Sequence, residues 1–186
     1  MEVALALLDV GVGINEKTTS ERSSALPLHV AVLHSQSHMV PMLIKCGADV
    51  NRKDEEKSCT PLIMAAILQE EWTVRQLIKA GADPTSVSAE GRSALYIAAE
   101  KGHTGIIRLL IETCGLSVNS PCTSEQHRST ALHIACLFNH PNAVYLLLHL
   151  GADATLTDSN DRTPMDVAQE ADSEAAMAVL AHNAPP

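Results

Sequence analysis

Aromatic side chains are almost missing: one Trp, one Phe and two Tyr make up 2% of 186 residues, although 46% of the chain is hydrophobic. Aromatic rings carry much of the buried area of an ordinary core. This core must therefore be built from Ala, Leu, Ile and Val, which suits thin layers of closely packed helices. Basic charge is also scarce, with 13 Lys and Arg against 22 Asp and Glu, a net charge of -9. No basic patch is left to hold a phosphate backbone, so no nucleic-acid partner is expected, and an anionic membrane surface is disfavoured for the same reason. The five cysteines are odd in number and form no CxxC. That argues against a disulfide framework and for a reducing compartment, namely the cytoplasm, with the nucleus as the alternative. No apolar run is long enough to insert in a membrane. EVALALLDV (2–10) lacks the basic n-region and cleavage site of a signal peptide. GxSxG, the P-loop, HExxH and GxGxxG are all absent, and the scattered carboxylates form no opposed acid–base pair. No enzyme activity and no cofactor are expected.

What is present is repetition. LPLHVA (26–31), TPLIMA (60–65), SALYIA (93–98), TALHIA (130–135) and TPMDVA (163–168) are variants of one motif. They begin at 26, 60, 93, 130 and 163, so the intervals are 34, 33, 37 and 33. A second motif keeps step: GADVN (47–51), GADPT (81–85) and GADAT (151–155), with VGIN (12–15) and SVN (117–119) as weaker copies. Between them lie the apolar segments VPMLI (40–44), VRQLI (74–78), IRLLI (107–111) and VYLLL (144–148).

Over essentially its whole length the chain resembles the ankyrin repeat family, whose fingerprint is T-P-L-H-x-A at a period of about 33 residues. The resemblance implies an all-α solenoid of helix-turn-helix units joined by β-turn or hairpin loops. The expected layout is a single array over 1–186. It comprises a partial repeat at 1–20, repeats at about 21–54, 55–87, 88–124 and 125–157, a capping repeat at 158–182 and a tail at 183–186.

The local chemistry agrees with this unit. Thr60, Ser93, Thr130 and Thr163 stand where a hydroxyl can cap a helix. Pro27, Pro61 and Pro164 follow at the first helical position, where no N–H is needed. Ala31, Ala65, Ala98, Ala135 and Ala168 let neighbouring helices approach closely, and Gly47, Gly81 and Gly151 suit helix exits. TALHIACLFNH (130–140) invites a metal reading, since His133 and Cys136 share a helix face. Cys122, His127, His133 and Cys136 could converge, yet no closed tetrahedral set is apparent. The resemblance supplies a structural role instead: His29 and His133 bond within and between repeat turns, Cys136 is a small buried residue, and His103 and His140 precede the outer helices.

Departures from the pattern are few. EVALALLDVGVGIN aligns with an outer helix and its exit, so an inner helix is missing before it. The expectation is either a piece of a longer natural protein or a chain that begins with a helix serving as a simple cap; Val3, Leu5, Leu7 and Leu8 are not a polar outer face, which favours the first. Leu26 replaces the capping Thr of its repeat, and Leu26→Thr is expected to stabilise by about 0.5–1 kcal/mol. The 37-residue interval places an insertion in 112–129, one residue of it at the helix exit and the rest in the turn. The side chains Gln169, Glu170, Asp172, Ser173 and Glu174 resemble a polar C-terminal cap.

Function is expected from the family's variable positions, which line its concave, protein-binding face. Here these include Glu56, Lys57, Glu90, Arg92, His127 and Arg162 in the turns, and Leu33, His34, Ile67, Leu68, Glu100, Lys101, Leu137 and Phe138 at the inner-helix ends. The apolar members, Leu33, Ile67, Leu68, Leu137 and Phe138, stand where consensus is polar and should be exposed to anchor a partner. Glu100 and Lys101 should divide two apolar subsites. The partner is expected to be a protein or peptide, the chain a monomer, and Trp72 a half-exposed surface residue. The resemblance also implies asparaginyl hydroxylation at VN motifs, which Asn51 and Asn119 fit and Asn15 fits less well. The alternative assignments are a regulatory or substrate-recruiting domain of a larger enzyme or channel, and a stand-alone inhibitor.

Overall fold

The computed structural model describes residues 13–15, 18–20, 23–121 and 128–183. They fall into two compact units divided between Glu90 and Gly91.

In the first unit, strands β1 (Thr18–Ser20) and β2 (Ser23–Ala25) pair antiparallel, with Thr18 opposite Ala25. Helix α1 (Pro27–Leu33) follows. A turn of 3₁₀ helix (Ser37–Met39) then runs into α2 (Val40–Lys45). The next pair is α3 (Pro61–Ile67) and α4 (Glu71–Lys79). Helix α1 packs on both α2 and α3, and α3 packs on α4. The second unit contains three such pairs. They are α5 (Ala94–Glu100) with α6 (Thr104–Arg108), α7 (Ala131–Leu137) with α8 (Pro141–His149), and α9 (Pro164–Glu170) with α10 (Glu174–His182). Helix α7 packs between α5 and α9. The fold is all-α, as the repeat implied.

The expected helix signals operate. The hydroxyl of Thr60 accepts the N–H of Ile63 at 3.3 Å, Ser93 that of Tyr96 at 3.2 Å, and Thr163 that of Asp166 at 3.2 Å. Pro27, Pro61 and Pro164 occupy the first helical turn. After the outer helices, Gly47, Gly81 and Gly151 adopt φ near +90°. That conformation lets the next N–H reach back to an orphan carbonyl, as Ala48 does to Leu43 and Ala152 to Leu147. Each core is aliphatic: Leu28, Val32, Leu43, Leu62, Ile63 and Leu77 in the first unit; Leu95, Ile107, Leu110, Leu132 and Leu147 in the second. The five motif alanines are buried beside them. A fully buried aliphatic side chain of this size contributes about 1.5–3 kcal/mol.

Leu26 behaves differently from the expectation. It provides no side-chain cap for α1, but its own side chain is buried. Leu26→Thr would remove that apolar burial while adding a cap, so the two effects oppose each other. The extra residue at the exit of α6 is absorbed by a π-helical turn, Leu109–Thr113, which spends one more residue per turn than an α-helix. The rest of the insertion, 122–127, lies outside the described residues, as do residues 1–12 of the partial repeat.

Within each unit, two side-chain bonds tie a repeat to the next. The first is histidine: Nε2 of His29 donates to the carbonyl of Cys59, and Nε2 of His133 to that of Arg162, both at 3.0 Å. The second is asparagine. The Asn51 amide donates to the Gly81 carbonyl at 3.2 Å and accepts the N–H of Asp83 at 2.7 Å. Asn15 makes the same pair of bonds with Gly47 and Asp49, and Asn119 with Gly151 and Asp153.

Candidate functional site

In the first unit, Leu33 at the end of α1 is 53% exposed and Ile67 at the end of α3 is 41% exposed. His34, which caps α1, is also exposed. Leu68 does not follow the expectation: it is half-buried rather than exposed. Glu56 and Lys57 project from the turn before α3, and Glu90 is exposed as well. The turn is braced from within. The carboxylate of Asp54 accepts the N–H groups of Lys57 and Cys59, and the Lys57 carbonyl accepts the N–H of Ala89.

In the second unit, Leu137 and Phe138 lie side by side at the end of α7, 44% and 42% exposed. Phe138 is the one Phe of the chain. Glu100 and Lys101 end the neighbouring helix α5. The Glu100 side chain is only 14% exposed, clasped by Arg92 at 3.3 Å and Lys101 at 3.6 Å. Arg92 also lies over the ring of Tyr96, 5.3 Å from its centroid. Arg162 turns inward: its guanidinium bonds Asp158 at 2.7 Å and Glu170 at 2.6 Å. Burial pushes the Asp158 carboxyl up, but the Arg162 bonds outweigh it and hold the group below its usual range. Arg92, Glu100, Lys101 and Arg162 are thus paired within the chain, whereas Leu33, Ile67, Leu137 and Phe138 stay open. His127 lies outside the described residues.

His133 is a structural residue. Its Nδ1 takes the hydroxyl of Thr130 at 2.8 Å and its N–H at 3.3 Å, while Nε2 holds Arg162, so both nitrogens are engaged. Burial lowers its pKa, keeping the ring neutral. Cys136 is fully buried, and burial pushes its thiol up to about 12, leaving it inert as a thiolate. Cys122 and His127 lie outside the described residues. Among those described, no three potential metal ligands cluster.

Two surface features were not anticipated. Tyr145 is 53% exposed and stacks on His149, with ring centroids 5.4 Å apart. Its place in VYLLL made it look like core; the i, i+4 spacing to His149 was the available signal. Nearby, Leu148, His149, Ala152, Asp153, Ala154, Thr155 and Asn183 line an open depression of about 320 Å³. Trp72 is 48% exposed, as expected.

Repeated helix pairs capped by Thr or Ser, tied by His and Asn, and showing apolar side chains at the inner-helix ends define a helical repeat of the protein-interaction class. The chain belongs to the ankyrin repeat family: the family model for ankyrin repeats, three copies long, matches residues 1–88, 62–158 and 123–185. Ankyrin repeats are in general non-catalytic modules that bind proteins. The chain is similar to the putative ankyrin repeat protein YahD of Escherichia coli, 31% identical over 168 residues, which cover 88% of this chain and 80% of that protein. It is 30% identical to the Arabidopsis thaliana E3 ubiquitin-protein ligase XBAT32 over 90% of this chain and 37% of the ligase. A rice zinc finger CCCH domain-containing protein 24 is 41% identical over 42% of this chain and 10% of its own length. The chain therefore spans a minor part of several relatives. No described helix is long and apolar enough to cross a membrane.

Proposed function

We propose that this chain binds a protein or peptide through the ends of its inner helices and the adjoining turns, as one segment of a larger scaffold, adaptor or regulator in the cytoplasm. The observation that carries this reading is the pair Leu137 and Phe138, exposed together at the end of α7. Leu33 and Ile67 offer the same kind of anchor in the first unit. Large apolar side chains are costly to leave in water, and buried aromatic anchors dominate interface energies. The paired charges Arg92–Glu100 and Arg162–Glu170 serve as a polar rim that orients the partner. The chain acts as a monomer.

The test compares affinity capture by the natural chain and by Leu137→Ala/Phe138→Ala. Both positions are exposed, so folding should change by no more than about 0.5 kcal/mol each. A partner lost from the double variant, with its circular dichroism and melting temperature unchanged, supports the reading. A partner retained at equal affinity removes it.

A second reading follows from the length comparison. The chain covers 37% of the ubiquitin ligase to which it is similar. In a longer polypeptide of that kind it would recruit the substrate while catalysis lay elsewhere.

A further inference from the structure

The inner helices of the second unit stop at one register: α5 at Glu100, α7 at Leu137 and α9 at Glu170. Because α7 packs between α5 and α9, the apolar pair Leu137 and Phe138 has a charged neighbour on either side. The two sides differ. On the α5 side the Glu100 carboxylate is only 14% exposed and is held by Arg92 and Lys101. On the α9 side Asp158 and Glu170 share the guanidinium of Arg162. Asp158 is buried and takes both Nε and Nη2, so its charge is matched there. The charge in excess rests on Glu170, whose side chain is 59% exposed. Two more exposed carboxylates stand at the same end, Asp172 in the turn after α9 and Glu174 at the start of α10.

We propose that the partner segment carries Lys or Arg on one side of an apolar anchor, the anchor seated on Leu137 and Phe138 and the basic residues over Glu170, Asp172 and Glu174. This names the partner class for the binding role proposed above and rests on that role. Charge complementarity selects the class. An acidic segment would set like charges against the exposed carboxylates. An uncharged apolar segment would strip water from them and give no bond in return. A Lys or Arg side chain pairs with the excess charge while its aliphatic stem extends the apolar contact. The segment also has one orientation. Lys101, on the α5 side, is 46% exposed and repels the basic end, which therefore lies toward α9.

The test is selection from a display library of random peptides against the full chain, with counter-selection against Leu137→Ala/Phe138→Ala. The enriched peptides should carry a large apolar residue with Lys or Arg on one side of it. Their affinity, read by fluorescence anisotropy, should fall about tenfold for Glu170→Gln/Glu174→Gln and should weaken with added salt. It should be unchanged for Glu71→Gln/Glu112→Gln, which removes the same charge from exposed sites on other helices. Should the first variant fail to fold, Asp172→Asn reads the same contact: it is isosteric, and Asn tolerates the φ of +52° at that residue. Peptides that need Leu137 and Phe138 but carry acids or no charge, or that bind the two acid-to-amide double variants equally, would overturn the proposal and leave the binding role standing. No enrichment dependent on Leu137 and Phe138 would remove the binding role, and the proposal with it.

Discussion

A Cβ built on Gly102 would stand 2.8 Å from Nδ1 of His140. The imidazole sits there because its Nε2 donates to the carbonyl of Glu100, at the end of α5, at 2.8 Å. Gly102 also has φ of +69°. Gly102→Ala is therefore penalised twice, by a strained backbone and by displacement of the ring. The expected loss is about 1–3 kcal/mol, read by thermal or urea unfolding. A variant as stable as the parent would show that His140 moves aside freely.

The equivalent turns between inner and outer helices use Ser35, Gln69, Asn139 and Asp172, all with positive φ. A left-handed conformation costs a side-chain-bearing residue about 1–2 kcal/mol, partly recovered as lower chain entropy when unfolded. Gln69→Gly should stabilise by about 0.5–1 kcal/mol. The gain should appear as a higher urea midpoint. A drop in stability would mean that the Gln69 side chain makes a contribution of its own.

Asn51 makes two bonds to the following turn, each contributing about 0.5–1.5 kcal/mol. Asn51→Ala should cost about 1–2 kcal/mol, and Asn51→Asp, which keeps the acceptor, should cost less. Equal losses in denaturant titrations of the two variants would place the whole effect on the donor bond to Gly81.

Burial lowers the pKa of His29, His103 and His133. For His29 and His133 the carbonyl bonds and the charges of Asp54 and Asp158 oppose the shift without reversing it. The unfolded chain, with histidines near 6.5, then binds more protons than the folded one just below that pH. Stability is complete above about pH 6.5 and is lost as pH falls through the lowered folded values. A second loss should begin below about pH 4, where Asp83 and Asp158, held below their usual range, take up protons. Melting temperatures across this range should fall in two stages. A flat profile between about pH 7 and 5 would contradict the histidine part.

Much was legible without coordinates. Thr60, Pro61 and Ala65 act through bonds and sterics spanning a few residues, so their roles follow from spacing alone. His133 was assigned to structure rather than to metal because the family pattern gave that position a role, and its two engaged nitrogens agree. The exposure of Leu33, Ile67, Leu137 and Phe138 was legible in the same way, since the repeat register marks the inner-helix ends.

What the linear order could not decide was which neighbours close over a side chain. Leu26 and Leu68 are apolar residues at positions read from register, yet one is buried and the other half-buried. Arg162 looked free in the turn, but Asp158 and Glu170 both fold back onto it. Tyr145 sits in an apolar run, yet it points outward against His149. By itself the sequence determined the repeat, its register and its caps, because these depend on residues close along the chain. Only the tertiary structure decided which charges were paired and which apolar groups stayed open. Those outcomes depend on which side chains fold back onto one another and which neighbours close over them.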